Sequence, residues 1–187
     1  MEILHHGAVN GVTGSCHELK FNNGFGVLID CGLFQGAETS GKGATKDSLE
    51  IDFPISHIKA LIVTHVHIDH VGRIPYLLSA GFAGPIICSE PSAILLPLVL
   101  EDALKVGVTR NRQFIEKLLG VLQKRIVAIP YSKYYQVAPG CDVKLKPAGH
   151  ILGSAYVECL ASKPLLPKPQ GKKKVIFSGD LGAPYAP

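Results

Sequence analysis

The chain has 187 residues, 47% of them hydrophobic and 18% charged, which excludes a disordered polyelectrolyte and suits a single globular domain over 1–187. A formal net charge of +4 is compatible with a polyanionic partner without requiring one. The five cysteines are odd in number and never form a C-x-x-C pair, so no disulfide framework or cysteine-type zinc site is indicated and a reducing cytoplasmic setting is expected.

The start, Met1-Glu2-Ile3-Leu4-His5-His6-Gly7, has no basic segment followed by an apolar stretch and does not read as a signal peptide. Cys16 to Phe21 and Phe25 to Asp30 are β-leaning runs joined by Asn22-Asn23-Gly24, a pattern that predicts a hairpin. Cys31 to Leu49, rich in Gly, Ser and Thr, predicts a loop. Ala60 to Thr64 predicts a short buried strand. Val71 to Ala80 then shows helical spacing through Val71, Ile74, Leu77 and Leu78, ended by Gly81.

Pro85 to Ser89 predicts the next strand, and Ser92 is the expected cap of a helix running to Lys105, followed by a helical piece from Arg110 to Leu122. The longest apolar run, Ala93 to Leu100, contains Pro97 and falls far below the roughly 20 residues that span a bilayer, so a soluble protein without membrane contact is expected. Arg125 to Ile129, Tyr134 to Val137, Asp142 to Lys146, Ser154 to Leu160 and Lys173 to Ser178 predict short strands. Ser162 to Lys174, with its prolines and lysines, predicts an exposed hairpin tip on which Lys172, Lys173 and Lys174 are solvated.

The chemistry concentrates in His65-Val66-His67-Ile68-Asp69-His70, which places imidazoles and a carboxylate between a buried strand and a helix. Zinc takes imidazole and carboxylate ligands, and a catalytic site keeps one position open. In extended chain His65 and His67 project the same way and can share one ion, while Asp69 and His70 point toward a second position. His150 follows the strand near Pro147, Asp180 follows Val175 to Gly179, and Asp30 follows Val27 to Ile29, so several apolar strands each end in a polar group at one sheet edge. Asp30 admits two readings, a turn carboxylate or support for a metal ligand. The unclustered His5, His6, His17 and His57 read as packed or solvated, and Arg73 reads as an exposed helix charge.

In this order, Asp30, His65-x-His67-x-Asp69-His70, His150 and Asp180 resemble the metallo-β-lactamase superfamily signature. The flanking words Gly11-Val12-Thr13-Gly14-Ser15-Cys16, Leu28 to Gly36, Ala148 to Ala155 and Phe177 to Gly182 resemble the β-CASP nucleases, which include the endonuclease subunit of the cleavage-and-polyadenylation machinery. The resemblance implies an α/β fold, the metallo-β-lactamase αββα sandwich. It implies the N-terminal portion of that sandwich, lacking the β-CASP insert and the C-terminal completion, so the domain is expected to be incomplete. It also implies two Zn2+ ions: one held by His65, His67 and His150, the other by Asp69 and His70, with Asp180 bridging and Asp30 as a supporting acid. Asp69, His150 and Asp180 would serve catalysis. The implied reaction is hydrolysis of RNA phosphodiester bonds, as in mRNA 3′-end processing. Two other readings stand beside it: a thioester or lactone hydrolase of the same fold, or a catalytically silent fragment acting as a binding module. Exposed apolar surface on an incomplete sandwich would favour a homodimer.

Overall fold

Two kinds of strand in the sequence become two packed sheets in the computed structural model, which describes residues 1–9, 11–35, 49–162, 165 and 171–183. The first sheet has the order β1 (Glu2–His5), β2 (His17–Lys20), β3 (Gly26–Ile29), β4 (Ile58–Ile62), β5 (Ile86–Ser89), β6 (Ile126–Ile129). Pairing is antiparallel from β1 to β3 and parallel from β3 to β6. Strands β3 to β5 are apolar almost throughout because both faces are covered. Val27, Ile29, Ala60, Ile62 and Ile87 face the second sheet, and Leu28, Leu61, Ile86 and Cys88 face the helices.

The second sheet is antiparallel, in the order β10 (Lys173–Phe177), β9 (Ala155–Ala161), β8 (Cys141–Pro147), β7 (Tyr134–Ala138). Its strands alternate, as strands with one covered face do. Val143, Leu145, Val157 and Cys159 enter the core between the sheets, while Glu158 on the outer face pairs with Lys144 at 2.7 Å and Lys174 at 3.2 Å. Lys172, Lys173 and Lys174 are exposed as expected, but Lys173 and Lys174 sit in strand β10 rather than in a loop tip. Most of the tip and residues 36–48 of the expected loop lie outside the described residues.

Among the described residues, the helices α1 (Ile68–Val71), α2 (Ile74–Ser79), α3 (Glu90–Gly107) and α4 (Arg112–Arg125) cover the other face of the first sheet. Val71, Ile74, Leu77, Leu96, Leu100 and Leu122 form their buried side. The layers run helix, sheet, sheet, the α/β metallo-β-lactamase arrangement expected from the resemblance. Among the described residues no helix is long and apolar enough to cross a membrane.

Three local expectations are corrected, and one strand is added. The helix expected over 71–80 is two short helices. The carbonyls of Asp69 and His70 accept from Ser15 N and Cys31 N, both at 2.8 Å, and Arg73 N turns to Cys31 O at 2.9 Å, so the helical ladder is interrupted there. Arg73 is not an exposed charge. It is 2% exposed, donates from Nε to Gly32 O at 2.7 Å, and lies 5.1 Å over the Phe34 ring. The cap of α3 is Ser89 rather than Ser92: Ser89 Oγ accepts from Ser92 N, with a proline in the first turn. Strand β1 has no expected counterpart, since four residues at a sheet edge are too few to display an alternation.

Candidate metal centre

Donor groups gather where strands end. Asp30 follows β3, Thr64 and His65 follow β4, His150 follows β8 and Asp180 follows β10. His67 stands at the N-cap of α1 with extended backbone (φ −63°, ψ 148°) and makes no capping hydrogen bond. Its ring is therefore free to turn toward His65, as the period of two for extended chain dictates. His65 Nε2 lies 3.2 Å from His67 Nδ1, and His150 Nε2 lies 3.1 Å from the same atom. Asp180 joins them: one ligand atom from each of His65, His67, His150 and Asp180 falls within 4.8 Å of the others.

Asp180 also faces the remaining candidates. Its Oδ2 is 3.8 Å from His65 Nε2 and 3.5 Å from His150 Nε2, while its Oδ1 is 3.3 Å from His70 Nε2. Asp69 Oδ2 is 3.9 Å from His70 Nε2 on that second side. All six sequence-predicted donors thus lie around one centre, with Asp180 between the two groups. His65 and His70 are buried at its base, and Asp180, with 46% of its side chain exposed, marks the open side.

Asp30 lies beneath the centre, 1% exposed and in the left-handed region at φ 58°. Its Oδ1 accepts from Thr64 N and its Oδ2 from Thr64 Oγ1, both at 2.8 Å; Oδ2 also accepts from His70 Nδ1 at 2.8 Å. Thr64 Oγ1, having given its proton to Asp30, accepts from His65 Nδ1 at 3.0 Å. One carboxylate therefore sets two tautomers, directly for His70 and through Thr64 for His65. In each ring the lone pair is left on Nε2, which points into the centre. Thr64 was not singled out from the sequence; the available signal was its position between an apolar strand and His65.

Electrostatics follow burial. Desolvation, with His70, His67 and His150 adding to it, pushes the His65 pKa down to about 2, so its ring stays neutral. For His70 burial acts downward, but the hydrogen bond and charge of Asp30, then Asp180 and Asp69, raise the pKa. His70 Nε2 is buried with no hydrogen-bond partner. Unpaired buried polar atoms are costly, and an imidazole nitrogen beside two carboxylates is suited to a cation. The donor set, imidazole and carboxylate without thiolate, fits zinc.

Close backbone packing maintains this arrangement. A Cβ at Gly32 would lie 1.6 Å from Asp69 O and 2.8 Å from His70 N. Gly32→Ala must push back the segment that carries both donors, and a cost of about 3 kcal/mol or more is expected, measured as a lower urea midpoint. Unchanged stability would show that the segment yields freely.

The other histidines make contacts of their own outside the six candidate donors. His6 and His57 contact the buried Glu18 at 2.9 Å and 2.7 Å, and His5 meets His17 through their Nδ1 atoms at 2.8 Å.

The metallo-beta-lactamase superfamily model matches residues 9–153. The chain is 34% identical to a ribonuclease of Thermus thermophilus over 185 residues, covering 97% of the chain and 38% of that protein. It is 30% identical to cleavage and polyadenylation specificity factor subunit 3-II of Arabidopsis thaliana, covering 93% of the chain and 28% of that protein. The chain thus spans well under half the length of these relatives. Among solved structures, a metallo-beta-lactamase of Cronobacter sakazakii superposes with a TM-score of 0.55 at 18% identity, over 95% of the chain and 60% of that structure, a likeness of fold.

Proposed function

The chain belongs to the metallo-beta-lactamase superfamily, and from that membership we propose that it serves as a metal-dependent hydrolase cleaving RNA phosphodiester bonds. The observation that carries the reading is the convergence of His65, His67, His150 and Asp180 from separate strand ends, with Asp69 and His70 on the far side of Asp180. His65, His67 and His150 would hold one zinc ion, Asp69 and His70 a second, and Asp180 both. Bound there, the ions supply Lewis acidity that brings the pKa of a water toward about 7 and offsets charge on the phosphate.

The protein's own groups do the positioning. Asp69 and Asp180 accept hydrogen bonds from the attacking water and orient it, and His150 completes the imidazole trio on the open side, where the substrate enters. Asp30 keeps the proton of His70 on Nδ1, so the ring arrives with its lone pair inward. Similarity to a ribonuclease and to a cleavage and polyadenylation factor supports RNA as substrate and mRNA 3′-end processing as the setting. Five buried free thiols support a cytoplasmic location.

The test pairs two substrates. Zinc-loaded full-length protein is expected to cut a labelled RNA oligomer and to leave a thioester and a lactone intact. Turnover of the thioester or lactone with no RNA cleavage would overturn the nuclease reading in favour of carbonyl hydrolysis.

A further inference from the structure

Beside the candidate metal centre, and sharing His70 and Asp180 with it, lies a cleft of about 300 Å³ that extends beyond the donors. Asp180 and His70 stand at one end, and His5 and His17 at the other, with Ile176 and Phe177 along a wall. The volume sits at the small end of ligand sites, which run from roughly 300 to 1,000 Å³, and suits a single sugar-sized group. His5 and His17 contact each other edge-on through Nδ1 atoms 2.8 Å apart, with ring planes at 84°. His17 Nε2 lies 3.4 Å from Ser15 Oγ, and its ring runs nearly parallel to that of Phe177. These histidines come from paired positions on β1 and β2, a rigid base for a recognition contact.

The chemistry of the lining separates the candidate occupants. A subsite for a second phosphate would be expected to carry lysine or arginine, and none lines this cleft among the described residues. Asp30, His70 and Asp180 line the end shared with the centre, and carboxylates there disfavour a further phosphate; away from it the cleft offers the His5 and His17 imidazoles and the Ser15 hydroxyl beside an apolar wall. Burial lowers the pKa of His17, with His5 adding to the effect, so at neutral pH its ring is uncharged and can donate and accept. Such a lining fits a neutral hydroxyl-bearing group. When a phosphodiester sits at Asp180, the group covalently next to it is a ribose.

Resting on the nuclease reading above, we propose that this cleft seats the ribose flanking the scissile phosphate and that the His5–His17 pair hydrogen-bonds its 2′-hydroxyl, making the pair a determinant of RNA over DNA. The 2′-hydroxyl both donates and accepts, and it is the group by which a protein distinguishes the two nucleic acids at a given site. His5 and His17 act here as specificity residues and hold no metal.

The experiment scans RNA nonamers carrying one 2′-deoxy substitution at each position in turn, with kcat/KM measured on zinc-loaded full-length protein. One position beside the cut is expected to cost the unsubstituted protein about 10-fold, the effect of about one lost hydrogen bond. In His17→Ala that penalty falls to less than about twofold while zinc content is unchanged, because the missing partner can no longer sense the hydroxyl. His5→Ala, at an exposed position where folding is not at risk, is expected to do the same. A 10-fold penalty that persists in both variants, or an unsubstituted protein with no penalty at any position, would overturn the inference while leaving the nuclease reading intact. Failure of the zinc-loaded protein to cut any RNA would overturn that reading and this inference with it.

Discussion

Replacing His67 with alanine is expected to empty the centre of zinc and to bring RNA hydrolysis down to background. His67 Nδ1 is the atom to which both His65 Nε2 and His150 Nε2 come within 3.2 Å, so its loss removes the point where the three strand ends meet. Loss of a partner one layer further from a metal already costs about 10–100-fold in affinity, and loss of a ligand should exceed that. The side chain is exposed, so the fold should survive, which circular dichroism would verify. Zinc retained at full occupancy in this variant would refute the ligand assignment. Zinc lost without loss of hydrolysis would refute the metal-dependent mechanism.

The largest stability effect is expected at Asp30, and two substitutions separate its roles. Asp30→Ala strands Thr64 N, Thr64 Oγ1 and His70 Nδ1 in the interior. Breaking a buried network from one side in this way costs about 3–5 kcal/mol. Asp30→Asn keeps the shape and tolerates the left-handed backbone, so a cost of about 1–2 kcal/mol is expected. Its amide nitrogen, however, would face His70 Nδ1 and favour the other tautomer, placing the proton on Nε2 and turning a donor away from the second position. A folded Asp30→Asn protein is therefore expected to bind about one equivalent of zinc where the parent binds two, measured by metal analysis alongside urea unfolding. Two equivalents in the variant would show that Asp30 does not set the tautomer.

The apolar runs ending at Ile29, Ile62 and Phe177 were legible because strands packed between layers must be hydrophobic on every exposed bond of their pleat, or on alternate ones where a single face is covered. The hairpin around Asn22-Asn23-Gly24 was legible because its turn needs residues that accept positive φ, as Gly24 does at 80°. From the sequence Arg73 reads as an exposed charge, since a cation after a histidine-rich turn looks like any surface charge. Its burial arises only when Gly32 O, the carbonyl of a distant loop, arrives as an acceptor. The break between α1 and α2 has the same origin: the peptide groups of Asp69 and His70 bond to Ser15 and Cys31, some forty to fifty positions earlier in the chain.

By itself the sequence determined the spacing that lets His65 and His67 face one way and the run of strand and helix segments, because these follow from local periodicity; the α/β class and the assignment of His150 and Asp180 as donors came from its resemblance to a family. Only the tertiary structure decided that His150 and Asp180 come within reach of those histidines, that Thr64 links His65 to Asp30, and that His5 and His17 border a cleft at the same edge. Contacts between residues 34 to 115 positions apart depend on how parallel strands are ordered and how two sheets register against each other, and no local pattern encodes that.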